Sequence, residues 1–96
     1  MTRDSARLLE LRDVHAPARF REGEMHWQMA SGPDAVDVRV TTAALDALGK
    51  TPRTSYRDLF EQNREFLCAL AAIKAPNTPP GEPIRIDRKD IPSRSR

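Results

Sequence analysis

Met25, Trp27 and Met29 alternate with His26, Gln28 and Ala30. A period of two places the large apolar groups on one face of a strand and the polar ones on the other. Ser31-Gly32-Pro33-Asp34 has the composition of a turn. Val36, Val38 and Val40 then alternate with Asp37 and Arg39. The two runs predict a hairpin with Trp27 and the valines against one core. Its loop is expected to exceed two residues, which leaves the turn type open.

The period then changes. Thr41 or Thr42 can cap a helix carrying Ala44, Leu45 and Leu48, and Gly49 suits the left-handed position after its last turn. Lys50–Arg53, with Pro52, is a connector. Ser55 with Asp58 three residues later resembles a capping box and starts a second helix, which runs to Lys74 and is stopped by Pro76. At a helical period, Tyr56, Leu59, Phe60, Phe66, Leu67, Leu70 and Ile73 share one arc. Arg57, Glu61, Arg64, Glu65 and Cys68 fall opposite. This arc and the hairpin are expected to form the two halves of the core.

The ends are shorter. Arg7–Val14 fits a helix through Leu8, Leu9, Leu11 and Val14, and also fits a strand through Leu9 and Leu11. Ala75–Pro83 is a proline-rich loop. Ile84 and Ile86 alternate with Arg85 and Asp87 as a last strand, Ile91 completes the packing, and 92–96 reads as a flexible basic tail on a single domain, 1–96.

Three stretches resemble a family of short bacterial proteins, the uncharacterised family numbered 1488 among domains of unknown function. They are Met25–Ala30, Val36–Leu48, and Leu59–Arg64 followed by Lys74, Gly81, Ile84, Ile86, Asp90 and Ile91. The resemblance spans about residues 24–91. It implies an α+β fold of order β-β-β-α-α-β, with a small curled antiparallel sheet of about four strands packed on two helices. It also implies a strand at Arg7–Val14. It assigns no activity, substrate or cofactor.

Composition narrows the class. Hydrophobic residues are 39% and charged residues 31% of the 96, a globular balance. Apolar runs fall short of the roughly 20 residues that span a bilayer, and Glu10, Arg12 and Asp13 interrupt Leu8, Leu9 and Leu11. A cytoplasmic location without a membrane partner is therefore expected. Cys68 is the single cysteine, so an internal disulfide is impossible. The net charge of +2 is uneven: residues 1–48 carry six basic and eight acidic groups, residues 49–96 ten and six. The basic excess ends in Arg85, Arg88, Lys89, Arg94 and Arg96, a candidate contact for nucleic acid or another polyanion.

Candidate chemistry is sparse. Two histidines, His15 and His26, and one cysteine do not approach a zinc ligand set, and His26 should lie on the outer side of its strand. Gly23, Gly32, Gly49 and Gly81 are scattered through turns and form no phosphate loop. Cys68 is expected on the polar side of its helix, with Arg64 four residues before it. Glu61 can pair with Arg57 and Arg64 along a solvated face. No catalytic residue, metal site or cofactor is implied.

Asn63 lies inside the apolar arc, where an unpaired amide would be costly. Either it ties a backbone segment, or with Tyr56 and Lys74 it forms a polar pocket. A domain this thin leaves little volume for one. Trp27 and Phe20, flanked by Arg19, Arg21 and Arg39, evoke a nucleic-acid-binding sheet. Trp27 is, however, in phase with the core methionines, and aromatic residues are 5% of the chain. The leading expectation is a small non-enzymatic binding or regulatory module acting through a protein partner or through self-association. The alternatives are nucleic-acid binding by the basic C-terminal segment and a small-molecule site around Asn63.

Overall fold

The hairpin forms where the alternation places it. Strand β3 (Glu24–Ser31) pairs antiparallel with β4 (Asp34–Thr41) over its full length, with Trp27 opposite Val38 and Met25 opposite Val40. Pairing continues to Ser31 opposite Asp34, so the loop is only Gly32-Pro33, shorter than the turn residues suggest. Gly32 has a φ of 61°. A left-handed glycine followed by proline, whose ring fixes a negative φ, fits the type II′ geometry that matches strand twist.

The computed structural model describes residues 11–92. It is an α+β fold with a five-stranded sheet, order β1 (Leu11–Asp13), β3, β4, β5 (Ile84–Ile86), in which β2 (Arg19–Arg21) also pairs with β3. β1 and β2 lie in line along one edge of β3. Leu11–Asp13 is thus a strand, while residues 7–10 of that segment lie outside the described residues. Between the two strands, residues 14–18 face only Trp27 and Gln28. The edge therefore loops out, with His15 in the left-handed region at φ 59° and Pro17 supplying no amide. The sequence pattern did not predict β2. Its turn into β3 is Glu22-Gly23, both at positive φ, 51° and 78°.

Three α-helices, rather than the two expected, follow among the described residues. α1 (Thr42–Ala47) is capped by Thr41, whose Oγ1 accepts from the Ala44 amide at 3.1 Å, and Gly49 beyond it is left-handed. Ser55 caps α2 (Tyr56–Gln62) by accepting from the Asp58 amide at 3.0 Å. The long second helix is broken: Asn63, at φ −115° and ψ 15°, separates α2 from α3 (Arg64–Lys74). The buried stripe nevertheless keeps one phase across the break. α2 buries Leu59 and Phe60, and α3 buries Leu67, Cys68 and Ala71. Phe66 and Ile73, expected in the core, are exposed at 38% and 69%, and Cys68, expected outside, is buried. At a helical period the five buried positions share one half of the axis, centred on Phe60, Leu67 and Ala71, so the arc drawn through Phe66 and Ile73 is rotated away from the core face.

The last strand, β5 (Ile84–Ile86), joins β4 in parallel, so the sheet is mixed rather than antiparallel. The chain reaches it by a crossover through all three helices, as a parallel neighbour requires. Met25, Trp27, Met29, Val38, Val40, Ile84 and Ile86 pack with Leu45, Leu59, Phe60 and Leu67 in one core. Trp27 meets Phe60 ring to ring at 4.7 Å and 60°, a tilted contact that such rings favour. The apolar face of the sheet therefore does lie against the helices. No helix among the described residues is long and apolar enough to cross a membrane. Residues 93–96, including Arg94 and Arg96 of the basic tail, lie outside the described residues.

Candidate functional site on the open sheet face

Helices cover one face of the sheet. The other carries the out-of-phase residues of the same strands, and the register lines them up. Arg19 of β2 is opposite His26 of β3, His26 is opposite Arg39 of β4, and Arg39 is opposite Arg85 of β5. Four adjacent strands thus present three arginines and a histidine in one transverse row. Like charges placed opposite one another destabilise a sheet by a few tenths of a kcal/mol or more per pair. The neighbouring rows add Arg21 opposite Glu24, and Gln28 opposite Asp37.

Glu24 is the anionic counterweight. It is 8% exposed; its Oε2 lies 2.5 Å from Arg85 Nη2, and its Oε1 lies 3.5 Å from His26 Nε2. Arg85 is further held 3.7 Å from Asp87. Gln28 Nε2 donates to Asp37 Oδ1 at 2.8 Å. Arg12, Arg19, Arg21 and Arg39 have no carboxylate partner among the described residues, and the Nε of Arg39 is sealed from solvent without an acceptor. A buried donor left unpaired is costly. His26 does lie on the outer side of its strand, as expected, although it is half-buried rather than a free surface residue.

The edge break adds depth. Where residues 14–18 loop away from β3, a cleft of about 580 Å³ opens. Ala16 and Pro17 form one wall, Trp27 and Gln28 line it from β3, and Arg19 and Arg39 stand on either side. The expectation that so thin a domain lacks volume for a pocket fails on its open face. The loop is anchored from behind by α2 and α3. Arg64 grips Asp13 through Nε and Nη2 at 2.8 and 2.9 Å and donates to the Ala16 carbonyl at 2.7 Å. Arg57 donates to the Ala18 carbonyl at 3.0 Å. Burial raises the Asp13 carboxyl, but the Arg64 guanidinium and the His15 backbone amide outweigh it and hold it below its ordinary value.

The residues singled out from sequence are separated. Asn63 Nδ2 donates to the Leu59 carbonyl at 2.9 Å, within its own helical segment. Tyr56 donates to Asp46 at 2.9 Å and stacks on Phe20 at 5.7 Å. Lys74 donates to Asp90 at 2.6 Å. Each is held by a different partner, and the open-face cleft includes none of them. Arg85 belongs to the open face, whereas Arg88 and Lys89 sit in a 3-10 turn, Arg88–Asp90, closed by a reciprocal Asp87–Asp90 capping box. Cys68 is shut in the core, and burial pushes its thiol up to about 11. No group of three or more potential metal ligands occurs among the described residues.

Sequence reasoning named the cationic residues of the row but not the row itself. The available cue was the phase: His26 and Arg39 each lie one step from a core position, which already assigns them to one face once the hairpin register is known. Comparison with protein-family models, with curated proteins and with solved structures finds no match to this chain.

Proposed function

We propose that the protein is a small binding module that engages an acidic segment of a partner protein through the open face of its sheet. The transverse row of Arg19, His26, Arg39 and Arg85 supports this reading. It concentrates positive charge on a rigid, uncovered surface, while Glu24 and Asp37 interrupt the field and give a partner a charge pattern to match. A nucleic-acid partner is favoured less. Single-strand binders stack bases on exposed aromatic rings, yet Trp27 is 2% exposed on the core face and Phe20 is stacked on Tyr56.

Titration of the pure protein with polyglutamate and with single-stranded DNA tests the reading. Binding to polyglutamate should be saturable, should weaken as salt rises, and should fall when Arg12 and Arg21 at the rim are changed to glutamate. Tighter binding to DNA would assign the face to nucleic acid instead. Absence of binding to both at low salt would reject it.

A further inference from the structure

We propose that the cleft at the break in the edge strand is a binding site for a small phosphate monoester. In it, Arg19 and Arg39 grip the phosphate above His26, and the organic remainder rests against Ala16 and Pro17. The inference does not depend on the acidic-partner reading. It rests on three observations.

First, Arg19 and Arg39 flank β3 from its two sides, each directly opposite His26. With strands about 4.8 Å apart, their backbones stand roughly 10 Å from one another. Two guanidinium groups can then approach a tetrahedral oxyanion from opposite sides, each offering a planar fork of donors. Second, neither arginine has a carboxylate partner among the described residues, and the Arg39 Nε is buried without an acceptor. An oxyanion would relieve both the mutual repulsion of the row and that orphaned donor. Third, the cleft of about 580 Å³ is of the size that small ligands occupy, about 300–1,000 Å³. Its lining has two characters. Arginines and His26 share the lining with the apolar Ala16 and Pro17, while the carboxylates of Glu22 and Asp37 also line it and can meet hydroxyl or amino groups. The arginine brackets on the Ala16 and Ala18 carbonyls hold the loop wall in place, so the cleft is formed in advance of a ligand.

Calorimetric titration and thermal melting with adenosine monophosphate, glycerol 3-phosphate and adenosine, all at fixed ionic strength, test the site. Adenosine monophosphate should bind saturably and raise the Tm, and adenosine should not. Equal binding of glycerol 3-phosphate assigns recognition to the phosphate group, and weaker binding assigns part of it to the base; both outcomes support the site. Arg39→Lys keeps a charge but loses the fork, and should weaken binding about tenfold. Arg19→Ala, on an exposed strand, should do the same and serves if the Arg39 variant does not fold. Binding of adenosine equal to that of its monophosphate overturns the proposal. So does undiminished binding by both arginine variants, or no saturable binding of either phosphate ester at millimolar concentration. None of these failures touches the polyglutamate result at Arg12, which lies outside the cleft lining.

Discussion

Cys68 shows how far a residue's chemistry follows from where the fold places it. It is shielded in the core beneath Trp27, and its thiol is held up to about 11. At neutral pH it is a protonated apolar filler rather than a nucleophile. Alkylation by iodoacetamide should therefore be slow in the native protein and become fast at the urea concentration that unfolds it. Asp13 and Asp90 act in the opposite sense. For Asp90, burial raises the carboxyl, but Lys74 and the Asp87 backbone amide outweigh it, and its value is lowered like that of Asp13. A carboxyl held lower in the folded than in the unfolded chain stabilises the fold above its unfolded pKa of about 4. That stabilisation is lost as pH falls through the folded value. Urea midpoints measured from pH 7 to pH 3 should thus fall steeply at the acid end, and Asp13→Asn should flatten the fall while lowering the midpoint at pH 7.

At the scale of elements, the phase of the buried face decides which helix residues matter. The Asn63 side chain occupies the Leu59 carbonyl, and the face centred on Phe60, Leu67 and Ala71 turns inward on both sides of it. Leu67→Ala should cost about 2–5 kcal/mol. Ile73→Ser, although Ile73 falls in the arc predicted for a continuous helix, should stay within about 0.5 kcal/mol. Equal losses in chemical denaturation would mean that the Ile73 side of the helix also faces the core. The β3–β4 hairpin makes a second demand on one residue. Gly32 holds a φ of 61°, so Gly32→Ala should destabilise by about 1 kcal/mol, with an unchanged dependence on denaturant. The hairpin, α1 with its Thr41 cap and the start at Ser55 were all legible in the sequence, because each rests on local period or on one capping contact. The break was not legible, because Asn63 is polar in an apolar arc, which fits a buried tie within one helix as well as a junction between two.

At the scale of the molecule, sheet and helices share one core, and the closing strand ties the ends together. β5 places Ile84 and Ile86 beside Val38 and Val40, while Lys74 holds the following turn through Asp90. Trp27 fluorescence and far-ultraviolet circular dichroism should therefore report coincident thermal transitions, and Ile86→Ala should lower both together; separate transitions would mean that the sheet and helices unfold independently. Local patterning was enough for the α+β class, the hairpin pairing, the helix starts and the polar phase of His26 and Arg39, since these depend on neighbours a few residues apart. The parallel course of β5 beside β4, the open edge at residues 14–18 and the single row of Arg19, His26, Arg39 and Arg85 come instead from the assembled sheet. Those features arise from register between strands, in β4 and β5 between residues as far apart as Arg39 and Arg85, and the period within a strand carries no information about which strand will lie beside it.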